Sequence, residues 1–118
     1  MATIGSLSDL LRPAYAHDNI DAWRWSVRRQ LVPVRDRLAH EAPHRREAWL
    51  SARAARALRE RDTLLARLNR LASQVLVAHD VEPVRADLRR LLADIERHAQ
   101  RMSDLAYDEV ELEIGGSE

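Results

Sequence analysis

Between Leu50 and Ala78 one series of positions recurs at alternating steps of four and three without a miss: Leu50, Ala54, Ala57, Arg61, Leu64, Leu68, Leu71, Val75 and Ala78. Only an α-helix lines such positions up on one side, because its turn of 3.6 residues nearly matches their mean spacing of 3.5. All but one of these residues are apolar or small, so the line must be covered by another helix. A seam of this length leaves little room for a β-rich fold.

The covering helix is the next one along. After the turn His79-Asp80-Val81-Glu82-Pro83, the residues Val84, Leu88, Leu91, Ile95, His98, Met102, Leu105 and Glu109 keep the same alternation. Pro83 suits the first turn of that helix, and Asp80 or Val81 lies near its cap. Zipped antiparallel, the two helices would set Val75 near Leu88, Leu68 near Ile95 and Arg61 near Met102. A shorter helix precedes them, capped by Asp18, with Ile20, Trp23, Val27, Leu31, Val34 and Leu38 on one side and a kink expected at Pro33.

The expected fold is therefore all-α, an elongated helical bundle built on a long antiparallel helical hairpin plus a kinked first helix. It forms one domain: an N-terminal arm over residues 1–17, the kinked helix over 18–41, long helices over 43–79 and 83–109, and an acidic tail over 110–118. At 1.5 Å per residue the second helix reaches roughly 55 Å, beyond the width of a compact domain of this size. In the tail, Val110, Leu112 and Ile114 alternate with Glu109, Glu111 and Glu113, which is strand spacing. A frayed helix end is the equal alternative, since a lone strand has nothing to pair with.

A second column runs beside each seam, Leu58, Leu65, Ala72 and His79 on one helix and Leu92, Ala99 and Ala106 on the other. The resulting apolar face is wider than a two-helix contact needs. The first helix can cover only part of it, so the remainder needs the N-terminal arm or a partner, and the partner expected is the chain itself as a homodimer, or another helical protein. Leu58, Leu65 and Leu92 are the residues expected on that shared face.

Composition narrows the chemistry. Without cysteine there is no disulfide, thiolate metal site or cysteine nucleophile, and no apolar run approaches a membrane span. Residues 1–15 lack a basic start followed by an apolar block, so a cytoplasmic protein is expected. Every one of the 19 basic residues is Arg. Residues 24–70 carry 13 Arg against five acids, while residues 71–118 carry five Arg against 11 acids. A basic middle and an acidic end are self-complementary when laid side by side.

Several groupings bear on function. Trp25 with Arg24, Arg28 and Arg29 stands mostly off the apolar face of the first helix. Such a set suits a protein hot spot, or a base stacked on the indole with guanidiniums on phosphate; the plain alternative is packing of Trp25 under the N-terminal arm. Arg61 and His98 interrupt the two seams at facing positions and form a structural polar seam that fixes register. On that ground His98→Leu should raise the melting temperature and loosen the oligomeric state. His40, Glu41, His44 and Glu47 have the spacing of a weak metal cluster, although Pro43 divides them. Arg45, Arg46, Arg53, Arg56, Arg59 and Arg70 spread around the second helix, and several should meet Asp87, Asp94, Asp104 and Asp108 across the hairpin.

No phosphate loop, serine elbow or paired carboxylates on an apolar wall occur, so no enzyme activity and no cofactor are expected. The function expected is a small helical protein–protein interaction or regulatory adaptor that associates through a wide apolar helix face. Two alternatives stay open: a nucleic-acid-associated regulator using the Arg-rich surface with Trp25, and a metal- or ligand-binding bundle centred on His40, His44 and His98.

Overall fold

The computed structural model describes residues 4–13, 19–41 and 48–116. Within them the chain is an all-α bundle of four helices with no strand: α1 (Ile4–Leu10), α2 (Ile20–Ala39), α3 (Ala48–Val77) and α4 (Val81–Gly116). The molecule measures 61 × 21 × 19 Å, a rod set by the length of α3 and α4.

Local signals explain where the helices start. Asn19, extended in backbone, accepts the Ala22 amide on its side chain at 3.1 Å and caps α2. Asp18, the expected cap, lies outside the described residues, as does Pro43. Asp80 caps α4 by accepting the Glu82 amide at 3.1 Å. Through Pro33, which is half-buried, α2 runs without a break. The backbone of α4 stays helical to Gly116, past the residues whose alternation matched a strand. A helix satisfies its own amides and carbonyls, whereas a solitary strand leaves both rows open.

Residues 78–80 join α3 to α4, and the ion pairs between these helices fix their direction. Arg67 Nη1 meets Asp94 Oδ2 at 2.7 Å, and Arg101 Nη2 meets Glu60 Oε2 at 2.6 Å. The partners lie seven residues earlier on α3 and seven later on α4, so the two helices are antiparallel.

One continuous core joins all four helices. Leu64, Leu68, Leu71 and Val75 of α3 are buried with Val84, Leu88, Leu91 and Ile95 of α4, and with Trp23, Val27, Leu31, Val34 and Leu38 of α2. Leu7 of α1, with Leu11 just beyond its end, is fully enclosed in the same core. Each such leucine contributes roughly 1.5–3 kcal/mol by leaving water. A separate cluster, Ala54 with Leu105, lies farther along the α3–α4 pair, beyond the reach of α2.

The short α1 is docked by its carbonyl end. Trp23 Nε1 donates to Leu10 O at 2.6 Å and Arg85 Nη1 donates to Leu11 O at 2.8 Å. These are acceptors that a helix end cannot satisfy by itself. Arg85 is itself aligned by Glu82 Oε2, 2.7 Å from its Nε.

Candidate interaction surface

Two charged side chains tie α2 along α3. At its start Arg24 Nη1 donates to Val75 O at 3.1 Å, in the last turn of α3, where a cation also complements the helix dipole. At its far end Glu41 O accepts from Arg61 Nη1 at 3.0 Å. The side of α2 carrying Trp23, Val27, Leu31, Val34 and Leu38 is thereby pressed onto the hairpin, and the opposite side faces solvent.

Beside Arg61 sits the most enclosed polar group of the described residues. His98 is fully buried, with Nδ1 2.6 Å from Glu60 Oε1 and Nε2 2.5 Å from Glu41 Oε1. A ring protonated on both nitrogens donates to both carboxylates, while a neutral imidazole carries only one donor. Arg101 holds both oxygens of Glu60, with Nε at 3.0 Å from Oε1 and Nη2 at 2.6 Å from Oε2. Burial pushes the Glu60 carboxyl up, but the hydrogen bonds from Arg101 and His98 and the Arg101 charge outweigh it and leave the group below its ordinary value.

Arg61 and His98 thus share a partner, Glu41. The remaining contact of Arg61 is Asp62 at 3.0 Å, a surface pair. Nothing in the spacing of the first helix marks Glu41 as that partner, because its role depends on where α2 stops against the other two helices.

The weak metal cluster does not converge in its described part. The Nδ1 of His40 lies 2.7 Å from Asp36 O of its own helix, and Glu41 is taken by His98. His44 and Glu47 lie outside the described residues, and no group of three or more His, Cys, Asp and Glu placed to hold a metal occurs among the described ones.

Of the residues expected on a shared apolar face, Leu92 is 3% exposed within the single chain, where α1 covers it; Ser8, Asp9 and Arg12 border the same groove. It therefore belongs to the intramolecular core. Leu65 is half-buried and packs on that core, and Leu58 is half-buried beyond it. Over Leu92 the cover is the N-terminal arm, as a short helix, and not a second chain.

Trp25 is 60% exposed, which removes the alternative that it packs under the arm; Trp23 takes that place. Arg29 is exposed and Arg28 half-buried beside it. Val32, seven residues on, is also exposed and falls on the same line of α2. Ile20 and Val77, the other exposed apolar residues near this end, stand at a helix start and a helix end.

The arginines of α3 are only partly matched by the acids of α4. Asp94 takes Arg67 and also Arg97 of its own helix; the Arg67 hydrogen bond and both charges hold its carboxyl below the ordinary range against the effect of burial. Asp87 pairs within α4 with Arg90 at 3.6 Å, and Asp104 accepts from Gln100 at 3.0 Å. Arg53, Arg56 and Arg101 line an open groove of about 290 Å³ together with Glu60 and Asp104, so its charges are mixed. Arg45 and Arg46 lie outside the described residues, as does the side chain of Asp108.

No helix among the described residues is long and apolar enough to cross a membrane. Compared with protein-family models, curated proteins and solved structures, the chain matches none.

Proposed function

We propose that the chain is a small protein–protein interaction module or regulatory adaptor, acting in the cytoplasm through an exposed helix face, with a second copy or another helical protein as its partner. The observation that carries this reading is Trp25, 60% exposed at the outward side of α2 while Trp23, on the opposite side of the same helix, is buried. Tryptophan and arginine are the residues most enriched where binding energy concentrates, and Arg28 and Arg29 flank this indole. Half-buried Leu58 and Leu65 supply a secondary apolar surface on α3. No reaction and no cofactor are assigned to it.

The test is a photo-reactive amino acid placed at position 25, with a second at exposed Ala66 as control. A discrete crosslinked product at 25 that excess unlabelled chain competes away, and that is missing at 66, supports the reading. Equal or absent crosslinking at both positions would sink it.

A further inference from the structure

Resting on that reading of the outer face of α2, we propose that its occupant is α2 of a second copy, packed antiparallel. The solvent side of α2 carries a seam of its own: Ala22, Trp25, Arg29, Val32, Asp36 and Ala39 recur at steps of three and four, and all six are exposed. They lie opposite the buried line Trp23, Val27, Leu31, Val34 and Leu38. A helix with steps of three and four on both sides is patterned to pair on both sides, here with Trp25 and Val32 as the apolar members of the outer line and Arg29 and Asp36 as its charged ones.

The two charges in this outer seam select the partner and its direction. In a parallel pair, Arg29 would face Arg29 and Asp36 would face Asp36, like charges in register. In an antiparallel pair about a twofold axis between Arg29 and Val32, the layers become Ala22 with Ala39, Trp25 with Asp36, and Arg29 with Val32. Arg29 of one copy then lies one layer from Asp36 of the other, twice over. The stripe is self-complementary in one orientation only, as an isologous dimer requires.

Both charges are open to such pairing. Among the described residues the Asp36 carboxylate keeps only a 3.5 Å contact with neighbouring Arg35, its side chain more than half exposed. Arg29 makes no ion pair among the described residues. The same packing sets Trp25 over Arg35 of the second copy, where cation–π attraction offsets the approach of Arg28. Ala22 and Ala39 at the two ends let the backbones come close.

Affinity follows from extent. Eighteen residues of helix span roughly 27 Å, and a contact of that length buries on the order of 1,000 Å² in total, the lower end for a specific interface. A micromolar dimer that dissociates on dilution is expected, not a constant one.

Sedimentation equilibrium from about 1 to 200 μM decides it. The mass should climb from the 13.6 kDa of one chain toward twice that value. Trp25→Ala should weaken association at least tenfold, and Arg29→Asp and Asp36→Arg should each do the same. Mixing these two charge variants should restore a heterodimer, because each then offers what the other lacks. Far-UV helicity should stay unchanged in all three, since every altered side chain is exposed. A monomer throughout, or a dimer indifferent to these changes, would overturn self-pairing. If the chain is monomeric while the crosslinker at position 25 still captures a competed product, α2 keeps its interaction role and only the second copy is wrong; a monomer without that product removes both.

Discussion

His98 Nε2 stands 2.5 Å from Glu41 Oε1, a link between the middle of α4 and the end of α2 that no solvent reaches on the histidine side. With Glu60 at its other nitrogen, the ring joins three helices through one side chain. Leucine at this point would fill the seam but leave Glu41 and Glu60 without the donor they face.

The two carboxylates on His98 reverse the expectation drawn from seam spacing. His98→Leu should lower stability, by about 1–3 kcal/mol, the cost of depriving partly buried acceptors of their hydrogen bonds. Glu60 retains Arg101, which limits the loss on that side, while the Glu41 carboxylate loses the donor it faces. Urea unfolding followed by circular dichroism measures it. An increase in the midpoint would mean that packing outweighs the polar links.

Acid should act through Glu60 of the same node and through the separate Arg67–Asp94 pair. Glu60 and Asp94 both titrate below their ordinary values in the folded chain. The unfolded chain then binds protons first, so stability is present above the ordinary carboxylate range, about 4, and falls as pH drops through the lower folded values. Melting temperature between pH 6 and 2.5 should decline most steeply below about pH 4. In Glu60→Gln or Asp94→Asn the decline should be shallower, and an unchanged slope in both would contradict the assignment.

Much of this architecture is legible in the seams. Leu64, Leu68, Leu71, Val75, Val84, Leu88, Leu91 and Ile95 are buried where the alternation of three and four places them, because burial in a helix pair is fixed by angular position. The choice between Trp23 and Trp25 is readable in the same way. What escapes is anything set by a chain end or a crossing. Leu92 reads as free surface because α1 is only two turns long, and Glu41 reads as one member of a weak metal cluster because its partner lies 57 residues away. Asn19 in place of Asp18 is a one-residue matter, within the ordinary spread of helix ends.

Docking of α1 should be worth more than its length suggests. Leu11→Ala removes a fully buried side chain and should lower stability by about 2–4 kcal/mol. Arg85→Ala, which frees the Leu11 carbonyl, should do less to global stability while raising amide exchange across residues 7–11. Hydrogen exchange by mass spectrometry resolves the two. Equal exchange in wild type and both variants would mean that α1 is not held by these contacts.

Protection should also fall along the rod. Around Leu68 and Leu91 the hairpin is backed by α2, whereas Ala54 and Leu105 form a separate small cluster. Amides of α3 near Ala54 and of α4 near Leu105 should exchange at least tenfold faster than those near Leu68 and Leu91, since local opening there exposes less apolar surface. Uniform protection along both helices would show that the far end is covered by something other than these two side chains.

Nucleic-acid binding offers the sharpest contrast with a helix-face partner. Arg24, Arg61, Arg67, Arg85 and Arg101 already donate to carbonyls or carboxylates of the fold, which withdraws five guanidiniums from any phosphate backbone, and the chain carries no net positive charge to attract one. Association of that kind releases counterions and weakens steeply with salt, losing orders of magnitude between about 50 and 200 mM when several phosphates are contacted. The chain should therefore give no mobility shift with single-stranded or duplex DNA or RNA even at about 50 mM salt. A shift that fades near 200 mM and is lost in Trp25→Ala would instead mean that the indole stacks on a base, with Arg28 and Arg29 as its phosphate contacts.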